Sequence, residues 1–327
     1  MKKLLFIALF CVILITPAKG QGLLGSLLGE SGKPKGPVIR FVEGDKNAQD
    51  EILLIKLNGV IQEKNEEEGV MALKPKRNMI DVLRDDLRIA AERKAVKAIL
   101  FEINSPGGEV TASDLIYHLV KKTSKDTGKP VVALIGAMGA SGAYYSACAA
   151  QKIYAMPTSM IGSIGVVMQA MNIEELASKI GLKPLTFKSD KTPMKDILSP
   201  FREMTEDEKA MLMELINDTY NRFTDIVAES RKMSKEDVIK AANGAIYTPT
   251  KAKALGLIDE IGYREDAMEE CCKLANIKSA ALVKRESKSG GLDQLLGILS
   301  ERSDIRPIVS ELLSEMQFGA YPVMMFK

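Results

Sequence analysis

Hydrophobic and polar positions change period several times along the chain, and each change marks an element. Residues 51–61 are rich enough in apolar side chains to be a buried strand. Asn78 can cap a helix that carries Ile80, Leu83, Leu87 and Ala91 at helical spacing. Residues 96–103 predict the next strand, residues 112–122 a helix, and residues 130–136 another buried strand. The small-residue stretch after Ser141 predicts a helix start. Residues 153–156 and 165–168 predict short strands, Asn172 caps a helix reaching Ile180, and residues 184–188 predict a further strand. Strands alternating with helices argue for a mostly parallel α/β core.

A helical region follows. Thr205-Glu206-Asp207-Glu208 has the form of a capping box. Leu212, Leu215, Ile216, Tyr220, Phe223 and Val227 then form one apolar stripe. Ser234 opens a second helix, Pro249 sits in the first turn of a third, and Gly256 ends that one. Residues 288–291 form a linker to two short amphipathic segments and a mostly apolar tail, 321–327.

The chain has 327 residues, 46% of them hydrophobic, enough for a full core. A net charge of +2, with no basic stripe interleaved with aromatics, leaves no reason to expect nucleic acid as a partner. Lys2-Lys3 precede an apolar run at 4–15 and then Thr16-Pro17-Ala18-Lys19-Gly20, which is the layout of an export signal. The run is shorter than the roughly 20 residues that span a bilayer. Residues 1–20 therefore read as a signal peptide or N-terminal anchor. Residues 21–37 read as a Gly- and Leu-rich tether with affinity for a membrane surface, and the folded region begins near Val38. The bulk of the chain is expected outside the cytoplasmic membrane. The four cysteines make neither a disulfide framework nor a metal-ligand spacing, and no cofactor is expected. Cys148, Cys271 and Cys272 read as packing residues.

Two turns could carry chemistry. Asn104-Ser105-Pro106-Gly107-Gly108 ends one strand, at the edge where open parallel sheets place ligands. Its glycines expose backbone N–H groups that can bind an oxyanion. Gly139-Ala140-Ser141-Gly142-Ala143 follows the next strand and puts a hydroxyl at a helix N-terminus, where a nucleophile would sit. Either could also be an ordinary packing turn. Gly162-Ser163-Ile164-Gly165-Val166 is a second small-residue serine turn. Ser163 is a rival nucleophile, a residue that orients a lysine amine, or a simple turn residue. A nucleophilic serine needs a base. The single histidine, His118, falls on a helix between Tyr117 and Leu119 and reads as solvated or packed. A desolvated lysine can take its place. Lys188, Lys191 and Lys195 are candidates that composition does not separate, although Lys195 has several apolar neighbours in Pro193-Met194-Lys195-Asp196-Ile197-Leu198.

At these residues the chain resembles the signal peptide peptidase A family of serine proteases, peptidase family S49, in its short single-repeat type. The resemblance runs over about residues 51–286, with weaker similarity in the apolar tail. It rests on the three turns above and on residues 195–205, Lys195-Asp196-Ile197-Leu198-Ser199-Pro200-Phe201-Arg202-Glu203-Met204-Thr205, all in order. It implies a ClpP/crotonase-like α/β fold of repeated strand–helix units with a helical C-terminal extension. Residues 38–286 would be the peptidase domain and 287–327 a C-terminal linker and tail.

The resemblance also implies a Ser-Lys dyad. Ser141 would be the nucleophile, Lys195 the general base and Ser163 the residue that orients the lysine. The Gly108 and Gly142 amides would form the oxyanion hole. The implied substrates are membrane-associated peptides such as cleaved signal peptides. The implied assembly is a ring-like homo-oligomer whose neighbouring subunits complete each site. The stretch between Lys188 and Lys195 is about two residues longer than the family pattern, which keeps Lys191 as a substitute base. The other readings are a crotonase-type acyl-CoA enzyme and a catalytically silent membrane-associated scaffold of the same fold.

Overall fold

A computed structural model describes residues 38–63 and 77–286. The signal segment, the tether, most of the charged loop at 63–68, the linker and the apolar tail lie outside the described residues. Contacts divide the chain into two units. The larger, Phe41–Glu68 and Ala72–Lys284, holds the sheet and the candidate site. Of the smaller, only residues 38–40 and 285–286 are described, and there the Glu286 N–H donates to the Val38 carbonyl at 2.8 Å.

The architecture is the α/β one expected. The strands are β1 (Ile39–Gly44), β2 (Glu51–Asn58), β3 (Val96–Ser105), β4 (Val131–Ala140), β5 (Lys152–Ala155), β6 (Met160–Gly162), β7 (Ile246–Tyr247), β8 (Glu260–Ile261) and β9 (Ala281–Arg285). They form one sheet in the order β1-β9-β2-β3-β4-β5-β8, with β6 beside β4 and β7 beside β6. The pairs from β9 through β2, β3, β4 and β5 to β8 are parallel, as is β4–β6, while β6–β7 is antiparallel. The central strands are apolar at almost every position because both faces are covered. Leu54, Leu100, Val132 and Leu134 pack on Ala267 and Cys271 of α8 (Arg264–Ala275). Alternate residues such as Ile55, Phe101, Ile103 and Ile135 point to the opposite face and are buried there too. That face carries α1 (Met79–Glu92), α2 (Val110–Thr127) and α3 (Gly142–Ala147).

Local signals place several helices. Asn78 caps α1, its side chain accepting the Asp81 N–H at 2.8 Å. Ile80, Leu83 and Leu87 are buried as expected, but Ala90 rather than Ala91 continues the buried face. Both halves of the Thr205/Glu208 capping box form at the start of α5 (Glu206–Arg231). Ser234 caps α6 (Lys235–Ala241), and Pro249 opens α7 (Pro249–Ala254).

Four expectations need correction. The helix predicted over 112–122 is longer, because α2 runs on to a left-handed Gly128 at its C-terminus. The strand predicted over 130–136 continues as far as Ala140 and delivers the chain directly to Ser141. Residues 165–168 are not a strand: the sheet segment here is β6, and the positive φ angles of Gly162 (105°) and Ser163 (49°) turn the chain away after it. Residues 184–188 make no strand, since they are exposed and no strand of the sheet lies beside them among the described residues. In addition, the helix near Asn172 is only α4 (Glu174–Lys179). Of the stripe on α5, only Phe223 and Val227 are buried; Leu215 is 53% exposed.

Candidate active site

The site forms where β3 and β4 end. β4 carries the chain to Ser141, which adopts φ 52° and ψ −125° between the strand and α3. A non-glycine residue with this backbone is strained by roughly 1–3 kcal/mol, and such strain gathers at functional positions. Neighbouring hydrogen bonds hold it. The Ser141 N–H donates to the Gly162 carbonyl at 2.8 Å, and the Ser141 carbonyl accepts the Tyr145 N–H at 3.0 Å. The hydroxyl is therefore presented on a sharp strand-to-helix turn, a device that also exposes the nucleophilic serines of α/β hydrolases.

The glycine pair at the end of β3 lies against this turn. Ile61 grips it from the other side, its N–H donating to Gly107 O and its carbonyl accepting the Glu109 N–H, each at 2.8 Å. A Cβ on Gly107 would stand 2.7 Å from the Gly142 nitrogen and 2.9 Å from Ser141 Cβ. A Cβ on Gly108 would stand 2.0 Å from the Ile61 carbonyl oxygen. Only glycine permits these approaches. Neither the Gly108 N–H nor the Gly142 N–H donates to a protein acceptor among the described residues. Two backbone donors thus stand beside one serine hydroxyl, the arrangement that stabilises an oxyanion.

Ser163 belongs to the same site. Its N–H donates to the Ala245 carbonyl at 2.7 Å, and β7 fixes the preceding Gly162. Ser141, Ser163, Gly108 and Gly142 all line one pocket of about 310 Å³. Its other walls come from Val110 and Ser113 of α2, Tyr145 of α3, Thr219 and Phe223 of α5, the stretch Gly165-Val166-Val167 and Gly244.

The three lysines are placed differently. Lys188 donates to the Pro193 carbonyl at 2.6 Å and to Asp196 Oδ1 at 2.5 Å, so its ammonium is engaged in holding its own loop. Lys195 sits on a short 3₁₀ helix, Pro193–Asp196; Lys191 lies just before it. Both are exposed, and neither ammonium has a bonded partner among the described residues or lines the pocket of its own chain. The segment bearing Lys195 is nonetheless well anchored. Arg202 bonds Asp196 Oδ1 at 2.9 Å and Glu208 Oε1 at 2.5 Å. Hydrogen bonds from Arg202 and Lys188 hold the Asp196 carboxyl far below its usual range, and Arg202 does the same for Glu208. His118 is exposed on α2, away from the pocket.

Sequence reasoning missed the walls that α2 and α5 contribute. Thr219 and Phe223, four apart on α5, carry the one local signal that could have found them. The pairing of Asp114 with Arg222, 108 residues apart, had none. Among the described residues no group of three or more His, Cys, Asp or Glu is arranged to hold a metal.

The mixed α/β sheet with its covering helices fits the ClpP/crotonase-like class of peptidases. A model of peptidase family S49 matches residues 123–278. The chain is 36% identical to a putative protease of Methanocaldococcus jannaschii over 87% of its own length and 86% of that protein's. It is 32% identical to a putative signal peptide peptidase SppA of Enterococcus faecium, over 76% of this chain and 70% of the relative. It is also 31% identical to protease 4 of Salmonella typhi, over 81% of this chain and 41% of that longer protein. The chain belongs to peptidase family S49.

Proposed function

We propose that the protein is a serine endopeptidase with a Ser141–Lys195 dyad, acting outside the cytoplasmic membrane on membrane-associated peptides such as cleaved signal peptides. The observation that carries this reading is the strained Ser141 turn with the free Gly108 and Gly142 amides beside it in one pocket. Ser141 attacks a peptide carbonyl while an uncharged, desolvated Lys195 takes its proton. The two amides receive the oxyanion, and loss of either would cost roughly 3 kcal/mol of transition-state stabilisation. The lysine then protonates the leaving amine, and water hydrolyses the acyl-enzyme. Ser163 orients the lysine amine. Fragments of signal peptides suit an uncharged pocket, and the name of the Enterococcus relative points the same way.

In this reading Lys195 reaches Ser141 from a neighbouring copy in a ring-like homo-oligomer. Two features support it. Lys195 does not line the pocket of its own chain, and the stretch of chain preceding its segment exposes Met171, Ile180, Leu185 and Phe187 by 70–92%. Such a run of large apolar side chains marks an interaction surface.

Mixing two inactive variants tests the dyad and its origin together. Ser141→Ala and Lys195→Ala should each abolish cleavage of an apolar peptide and leave the fold intact. Mixed rings should regain activity at roughly a quarter of their sites, where an intact serine meets an intact neighbouring lysine. Full activity of Ser141→Ala would overturn the nucleophile. Inactivity of Lys191→Ala with an active Lys195→Ala would move the base to Lys191. No recovery on mixing would place the lysine in the serine's own chain.

A further inference from the structure

The apolar wall of the pocket is set from behind. Tyr145 donates its hydroxyl to Asp114 Oδ1, and the same oxygen accepts Arg222 Nη2 at 2.6 Å and Nε at 3.0 Å. Three donors, one from Tyr145 and two from Arg222, therefore converge on one carboxylate oxygen, and the three residues involved come from three different helices. Asp114 is on α2, one turn beyond Val110; Tyr145 is on α3, one turn beyond Ser141; Arg222 is on α5, between Thr219 and Phe223. Each helix also supplies lining to the pocket, through Val110, Gly142 and Thr219 with Phe223. The Tyr145 ring itself is part of the wall, with its centroid 5.0 Å from that of Phe223 and an edge contact to Tyr117 at 5.5 Å. Among the described residues no charged side chain lines the pocket.

We propose that Asp114 and Arg222 are positioning residues that set the width of this wall through Tyr145, and so determine which size of apolar side chain is accepted next to the cleaved bond. This inference rests on the reading of Ser141 as the nucleophile. The ion pair is too exposed to add much stability, with side chains 34% and 59% accessible. What it holds is the spacing of three helices around a shared oxygen. Tyr145 stays a neutral donor here, because burial and the Asp114 carboxylate push its phenol well above the usual range. Removal of either charged partner would free the ring and let α5 shift against α2 and α3. The cost would fall on binding of large side chains, which fill the wall, and not on attack at the carbonyl.

The experiment uses the full chain and peptides that differ only in the residue preceding the cleaved bond: alanine, leucine or phenylalanine. In Asp114→Asn, Arg222→Gln and Tyr145→Phe the ratio of kcat/KM for phenylalanine over alanine should change by about fivefold or more, through KM. Arg222→Lys should restore part of the ratio by returning the charge. Phosphonates bearing the same three side chains should show the same shift in labelling rates at Ser141. Tyr145→Phe removes a single hydroxyl, which keeps the test open should a charge variant fail to fold. An unchanged ratio, or an equal loss for all three peptides, would overturn the proposal. Activity that survives Ser141→Ala would instead overturn the nucleophile reading beneath it.

Discussion

Gly142 faces the Ser113 hydroxyl so closely that a Cβ on the glycine would stand 2.1 Å from Ser113 Oγ and 3.0 Å from its Cβ. Ser113 is itself held, its hydroxyl donating to the Glu109 carbonyl at 2.8 Å. The Gly142 peptide is thus pressed between α2 and the Ser141 turn.

Gly142→Ala should therefore displace that peptide and lower kcat/KM by about a hundredfold or more, as loss of an oxyanion donor does. A second change, Ser113→Gly, removes both clashing atoms and should return part of the activity. Peptide cleavage and phosphonate labelling at Ser141 measure both effects. A double variant no better than Gly142→Ala alone would assign the loss to something other than this contact.

The anchor of the Lys195 segment should depend on acid. Asp196 and Glu208 have folded-state pKa values below their ordinary 3.8 and 4.5 because Arg202 and its neighbours stabilise the carboxylates. A depressed carboxylate stabilises the fold above its unfolded pKa and loses that contribution as pH falls through the folded one. Limited proteolysis within residues 188–205 should accordingly increase as pH drops from about 4.5 towards 2. Arg202→Ala should show similar cutting at neutral pH, together with reduced peptide cleavage. Equal protection of wild type and variant at pH 7 would show that this network does not hold the segment.

The described cysteines differ in access. Burial pushes the Cys148 thiol up to about 12, and it raises Cys271 and Cys272 as well. Cys148 and Cys271 are buried, while Cys272 is partly open. A thiol reagent at neutral pH should modify Cys272 first and reach the other two only on unfolding, because the thiolate is the reacting form. Peptide mapping of the labelled native protein checks this order. Rapid labelling of Cys148 would mean that the core beneath α3 opens readily.

Much of the frame was legible because local rules act over a few residues. The caps at Asn78, Thr205 and Ser234 and the proline at the start of α7 formed where the pattern placed them, and the apolar runs of β2, β3 and β4 formed strands whose ends alone differ from the pattern. The predicted strands at 165–168 and 184–188 did not form, because a strand needs a partner as well as an apolar composition. The exposed half of the α5 stripe has the same cause: periodicity shows which residues share a face, not what covers it.

By itself, the sequence determined the alternation of strands and helices, the export-type N-terminal pattern, and the serine and glycine turns from which the chemistry was argued. Each of these follows from neighbouring residues. Tertiary structure alone decided that Gly107 would lie against Gly142, that Ser141 would sit at φ 52° under the Gly162 carbonyl, and that Asp114 would meet Arg222. It also decided that Lys195 would stand outside the pocket of its own chain. These are contacts between segments far apart in sequence, and their geometry comes from strand register and helix packing, which no local pattern encodes.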